Sequence, residues 1–184
     1  MLGHNGGPTM EPGESWRKTC WSKARKDLLP TLPLQIVRIR VKRAQALGLD
    51  YTTYATVRAT TGRDIVAFLF SDNALRLRAP GQMPPARAAK LQEAPDCIRH
   101  LAVHPPLRPE TALAHLSADH GIALETVFAA PMLSQSWTET RAHLRAALGQ
   151  TPSDAVLMIG DGPLEPGWAK AGALAGYVPA DRYF

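Results

Sequence analysis

The segment Ala155-Val-Leu-Met-Ile-Gly-Asp-Gly-Pro-Leu-Glu165 constrains this chain more than any other. An apolar run of strand length stops at Gly160 and Asp161. A Gly/Pro turn follows, and then Trp168-Ala-Lys-Ala-Gly172, which has helix composition. A short apolar run without alternation suits a strand covered on both faces. A strand that feeds a helix through a tight turn is a unit of a parallel α/β sheet. Asp161 then stands at the carboxyl end of a buried strand, where open α/β sheets bind ligands.

Similar units precede it from residue 64 onward. Ile65–Phe70 is an unbroken apolar run and is predicted to be a strand, with Leu75–Arg78 continuing extended. Helix patterns over 86–93, 109–119, 135–148 and 166–174 alternate with strand patterns at Ile98–His104, Leu124–Ala129 and 155–160. This alternation predicts a doubly wound, Rossmann-like, three-layer parallel sheet. Ile65–Phe70 should be central in it, parallel and adjacent to Val156–Gly160, because both runs lack polar residues.

The first part of the chain differs in kind. Residues 1–13 are rich in Gly and Pro and read as a disordered tail. Residues 14–29 repeat Trp16, Cys20, Ala24 and Leu28 every four positions, the mark of a helix. Pro33 opens a second helix that runs to Leu47, with Gly48 as its stop. A third spans about Tyr51–Thr61 and ends at Gly62. The predicted organisation is therefore a tail at 1–13, a basic helical extension at 14–62 and an α/β domain at 63–184.

Charge follows that division. The first 80 residues hold 13 Lys and Arg against 6 Asp and Glu, and the remainder holds 8 against 10. Arg38, Arg40, Lys42 and Arg43 cluster on the second helix. They are the predicted contact residues for an acidic protein or a nucleic acid, through residues 14–47. The segment 36–61 also has the helix, Gly turn and helix of a helix-turn-helix. No apolar run reaches the ~20 residues of a membrane helix. Two distant cysteines and the lack of a secretory leader pattern predict a cytoplasmic protein.

Candidate site residues gather at predicted strand ends. These are Ser71, Asp72 and Asn73 after the first strand, His104 after the second, and Asp161 with Glu165 after the fourth. Ser71, His104 and Asp161 compose a Ser/His/Asp set on paper, without the Gly-x-Ser-x-Gly turn of a nucleophile elbow. Gly160 and Gly162 are expected for the backbone freedom of a strand-to-helix turn.

From about residue 64 to the end, the element order resembles the haloacid dehalogenase-like (HAD-like) superfamily. The best match is Val156-Leu-Met-Ile-Gly-Asp161 through Glu165, then Ala169-Lys-Ala-Gly-Ala-Leu-Ala-Gly176. The resemblance implies that Asp161 and Glu165 help hold Mg²⁺, a hard cation that prefers carboxylate oxygen. It also implies a nucleophilic aspartate and an acid/base aspartate two residues on, after the first strand. In the natural register those positions hold Ser71 and Asn73. If Asp72 is the nucleophile, the second position is Ala74. His104 stands in place of a family Ser/Thr. The family lysine has no counterpart, Arg141 being the nearest cation. Phosphoryl transfer by this route needs both a carboxylate nucleophile and a proton donor. The expectation is thus a HAD-like protein without catalysis, working by interaction through its basic helices. One alternative is a Mg²⁺-dependent hydrolase of a small phosphorylated substrate, with Asp72 as an improvised nucleophile. The other is DNA binding through 36–61.

Overall fold

The computed structural model describes residues 32–77, 82–93 and 97–184. The predicted tail at 1–13 and the predicted helix at 14–29, with Trp16, Cys20 and Trp21, lie outside the described residues. The chain separates into two units, residues 1–38 and 39–184, and the second holds the sheet. Two helices come first, α1 (Leu34–Ala46), which begins in the first unit, and α2 (Tyr51–Thr61). Then come β1 (Ala67–Ser71), α3 (Asp72–Leu75), α4 (Pro85–Gln92), β2 (Ile98–Val103), α5 (Pro109–His120) and β3 (Thr126–Ala129). The remainder is α6 (Trp137–Leu148), β4 (Val156–Gly160), α7 (Glu165–Ala171), β5 (Gly176–Pro179) and α8 (Ala180–Tyr183).

All five strands are parallel, in the order β3-β2-β1-β4-β5. As expected from its unbroken apolar run, β1 is central and lies directly beside β4, with Ala67 opposite Val156 and Phe70 opposite Ile159. Every residue of β1 and β4 is buried. Alternate side chains feed two cores. Phe68, Phe70, Leu101, Leu157 and Ile159 pack with residues of α1, α2, α4, α5 and α8. Ala67, Leu69, Ala102, Val156 and Met158 pack with residues of α6 and α7. The result is a three-layer, Rossmann-like α/β fold.

The two-residue period of a strand and the helix stripes are enough to account for these layers. The early helices are not separate from the sheet. Ala44 and Leu47, from α1 and the turn after it, and Tyr54 and Val57 of α2 are buried in the same core as Phe68 and Leu157. Arg43 Nε lies 3.1 Å from Asp64 Oδ2, and its Nη2 donates to the Ile65 carbonyl at 2.9 Å. The Tyr54 hydroxyl donates to the other Asp64 oxygen at 2.7 Å. Asp50 caps α2 by accepting from the Thr53 N–H at 2.9 Å, and Gly62 closes it in the left-handed region at φ 71°, where glycine is favoured.

Two local expectations are corrected. The predicted extension over Leu75–Arg78, of which Arg78 lies outside the described residues, does not follow β1: residues 72–75 turn at once into α3, and Arg76 ends it at φ 51°. The cause is Ser71, whose Oγ accepts the Ala74 N–H at 3.0 Å and so caps a helical turn. The final predicted helix is shorter, ending at Ala171, and leaves room for β5 and α8, which the sequence pattern does not disclose. Only two of the four β5 residues are apolar, Tyr177 and Val178, too weak a pattern to read as a strand.

Candidate functional site

In the strand order, β1 sends its chain towards β2 and β4 sends its chain towards β5. The carboxyl ends of β1 and β4 therefore flank the topological switch point, the place where a doubly wound sheet opens a crevice. A cleft of about 450 Å³ lies there, lined by Asp72, Asn73, Arg76, Leu77, Asp161, Gly162 and Pro163. Three predicted residues, Asp72, Asn73 and Asp161, thus meet in one place. Ser71, beneath them, is wholly buried and spends its hydroxyl on the α3 cap.

Asp72 is 7% exposed and carries two bonds to one residue. Its Oδ2 accepts the backbone N–H of His104 at 3.1 Å, and its Oδ1 lies 2.6 Å from His104 Nδ1. A carboxylate can only accept, so Nδ1 carries the proton and Nε2 is the imidazole's other face. The ring stacks on Trp168, with centroids 5.4 Å apart and planes at 29°. Trp168 also borders a smaller, apolar hollow of about 160 Å³ with Met132, Leu133, Trp137 and Leu164. The paper set of Ser71, His104 and Asp161 is not what forms. His104 is bound to Asp72 instead, and Ser71 is directed into its own helix cap.

Glu165 has a different place from the one the metal reading gives it. It is 1% exposed. Its Oε2 accepts the N–H groups of Asp161 at 2.7 Å and Gly162 at 2.9 Å, and its Oε1 accepts from Asn73 Nδ2 at 2.9 Å. The carboxylate folds back into the turn that precedes it and compensates three donors. This explains the glycines. Neither Gly160 nor Gly162 has a positive φ, so backbone freedom is not their reason. A Cβ on Gly160 would collide with Glu165 Oε2 and Tyr177, and one on Gly162 would come within 2.6 Å of Glu165 Oε1. The glycines make room for a buried carboxylate. Burial, then the negative charges of Glu165 and Asp161, push the Tyr177 hydroxyl up from its ordinary pKa.

A Mg²⁺ ion does not fit this donor set. A divalent cation site needs free carboxylate oxygens converging on one point. Here the Glu165 oxygens are committed to N–H donors and those of Asp72 to His104. Among the described residues no three His, Cys, Asp or Glu side chains are grouped to hold a metal ion. Arg141, the nearest cation to the family lysine, gives its Nε to the Ala171 carbonyl at 2.8 Å.

One buried charged residue carries no motif. Arg87 of α4 is 7% exposed, its Nη1 has no hydrogen-bond partner among the described residues, and its guanidinium lies 4.7 Å from the centre of the Phe184 ring. A lone arginine in an alanine-rich helix has no sequence signal, because its burial depends on chain segments that meet only in the fold.

Of the basic cluster, Arg38 and Lys42 are exposed and Arg40 is half-buried, while Arg43 is engaged with Asp64. Arg58, the only cation on α2, lies 3.8 Å from Asp64. Thr56 and Thr60 of the same helix donate their hydroxyls to carbonyls four residues back. Among the described residues no helix is long and apolar enough to cross a membrane. No protein family, curated protein or solved structure matches this chain.

Proposed function

We propose that this chain is a HAD-like protein whose site no longer performs phosphoryl transfer, and that it acts by interaction through its basic N-terminal region. The sheet order supports the kinship: β1 is central, β4 is its parallel neighbour, and Asp72 and Asp161 follow the two strands into one cleft.

One observation carries the loss of chemistry. Two of the three carboxylates that attack or metal binding would use, Asp72 and Glu165, are already satisfied inside the protein, and Asp161 alone is left exposed. Asp72 accepts twice from His104, and Glu165 accepts from three N–H donors. A nucleophilic carboxylate must present a free lone pair to the incoming phosphorus, and Asp72 would have to abandon His104 to do so. With Asp72 as nucleophile the acid/base position holds Ala74, which has no proton to give, and in the other register it holds Asn73, whose amide is too weak a proton donor.

The partner is acidic, and protein rather than nucleic acid. A recognition helix needs side chains free to meet base edges. The α2 helix offers one arginine beside a carboxylate and two threonines bonded to their own backbone. The exposed cations sit on the preceding helix, as a charge surface without a reading element.

The test has two arms. The full chain is assayed with p-nitrophenyl phosphate with and without Mg²⁺. No turnover above background is expected, and turnover abolished by Asp161→Asn or Asp72→Asn would overturn the loss of catalysis. Binding to polyglutamate and to duplex DNA is then compared as salt rises. Salt-sensitive polyglutamate binding that fails in the Arg38→Gln, Arg40→Gln, Lys42→Gln variant supports the reading. Tighter binding to DNA, or binding indifferent to these three residues, rejects it.

A further inference from the structure

The sheet has two edges, and β5 forms one of them. Among the described residues no strand pairs with its outer side. An edge strand presents a row of backbone N–H and C=O groups, a template for another extended chain. Such edges are often blunted by charged side chains or covered by a helix or loop. The β5 segment Gly176-Tyr-Val-Pro179 carries no charge, and a groove of about 480 Å³ lies beside it. The groove is bounded by residues 175–178 on the strand side, by Thr52, Thr53, Thr56, Val57 and Thr60 of α2, and by Arg182.

The α2 wall has the spacing of a strand face. Thr52, Thr56 and Thr60 are exposed and stand four residues apart, so they form one row with steps of about 6 Å. Alternate side chains on one face of a strand repeat at about 6.6 Å, and a paired strand lies about 4.8 Å from its neighbour. A strand laid beside β5 therefore meets the row with every second side chain. The same row has little to offer a polar small molecule. Thr56 and Thr60 donate their hydroxyls to the carbonyls of Thr52 and Thr56, and Thr53 donates its own to Asp50. Polar recognition is left to the β5 backbone and to Arg182. Arg182 is exposed, and its Nη2 donates to Thr53 Oγ1 at 3.0 Å. The Asp50 carboxylate, 4.0 Å from it, already accepts the Thr53 N–H and hydroxyl. A guanidinium carries five N–H donors, so Arg182 keeps donors for a carboxylate on an incoming chain.

We propose that β5 accepts a short extended segment of a partner protein as a sixth strand, with alternate small apolar or β-branched side chains against the α2 threonines and an acidic residue at Arg182. Main-chain hydrogen bonds supply the affinity, and the threonine row and Arg182 select the sequence. Pro179 has no N–H to give, so the ladder stops there and the recognised core is about three or four residues long. The surface uses none of Arg38, Arg40 and Lys42. It goes beyond the interaction reading and does not rest on it.

The experiment pans the full chain against a phage library of random linear octapeptides, then titrates the enriched sequence as a fluorescein-labelled synthetic peptide by anisotropy. Enriched peptides should alternate apolar or β-branched residues with polar ones and carry an Asp or Glu. Thr56→Trp, which fills the groove from an exposed position, should weaken the peptide tenfold or more, and Arg182→Glu severalfold, with the thermal transition of both variants unchanged. N-methylation of alternate peptide amides should abolish binding in one phase and spare it in the other, because successive N–H groups of a strand point to opposite sides and only one side faces β5. The Arg38→Gln, Arg40→Gln, Lys42→Gln variant should bind as the parent does, which separates this surface from the basic helix. No enriched peptide, unchanged binding in Thr56→Trp, or equal loss from N-methylation in both phases overturns the proposal. Binding lost only in the triple variant overturns it too, by assigning the capture to α1.

Discussion

Asn73 and Glu165, 92 residues apart in sequence, are joined by a hydrogen bond of 2.9 Å that ties the carboxyl end of β1 to the turn after β4. The bond closes a small polar network at the heart of the sheet. Glu165 also receives two backbone N–H groups, and the glycines on either side of Asp161 leave space for it. What resembles a metal motif in sequence is, in the fold, a carboxylate that holds two strand ends together.

Removing that carboxylate should be costly. Glu165→Ala leaves the Asp161 and Gly162 N–H groups and the Asn73 amide without their acceptor, at ~1–3 kcal/mol for each buried donor that water fails to reach. Gly160→Ala forces a methyl group against Glu165 and Tyr177 and should cost about 1–3 kcal/mol as overpacking. Asp161→Asn, on an exposed side chain, should stay within about 0.5 kcal/mol of the parent. Urea unfolding of the three variants checks the order.

Within the basic cluster, Arg43 should behave unlike its neighbours. It joins the end of α1 to Asp64 and Ile65, so Arg43→Ala should lower stability by roughly 1–2 kcal/mol, as for hydrogen bonds to charged groups. Arg38→Gln, Arg40→Gln and Lys42→Gln together should leave stability nearly unchanged. Thermal denaturation of the two variants separates structural from surface charge.

Stability should fall on mild acidification because of His100. It is 1% exposed, with both ring nitrogens unpartnered among the described residues. Burial lowers its pKa below the ordinary 6.5, with only a partial opposing pull from Glu125. In the unfolded chain His100 gains a proton as pH drops through about 6.5, while the folded state resists until a lower pH. The unfolded state then binds more protons, so the contribution of His100 to stability is complete above 6.5 and is lost as pH falls towards the folded pKa. Urea midpoints from pH 8 to pH 5 should decline less steeply in His100→Leu than in the parent.

Cys97 should be inert in the native protein. It is buried, and burial pushes its thiol up to about 11, so the reactive thiolate is scarce at neutral pH. In a Cys20→Ser background, a thiol reagent such as dithionitrobenzoate should react slowly with the native protein and quickly once urea is added. Fast native labelling would contradict this placement.

The layers of the fold are legible residue by residue. Unbroken apolar runs at Ile65–Phe70 and Val156–Gly160 demand cover on both faces, and the structure makes them adjacent parallel strands, β1 and β4. The β5 strand is not legible, since two apolar residues among four do not distinguish an edge strand from a loop. Nor is α3, where one hydroxyl, that of Ser71, decides between extension and a turn of helix.

The site divides along the same line. Strand ends and connection order follow from local pattern, so Asp72, Asn73, His104 and Asp161 are identifiable from sequence as residues at one end of the sheet. Which atoms bond there is set by distances between segments that no local pattern encodes. The family resemblance implies Glu165 beside Asp161 as a metal ligand; the fold turns it inward against Asn73. Strand-end position lets His104 be grouped on paper with Ser71 and Asp161; the fold pairs it with Asp72 and stacks it on Trp168. Arg87 stays silent until Phe184, nearly a hundred residues on, lies against it in the fold. Periodicity reports how a segment buries its own side chains, and this chain's sequence determines that much. Hydrogen bonds and charge balance belong to pairs of segments, and only the tertiary structure brings those pairs within bonding distance.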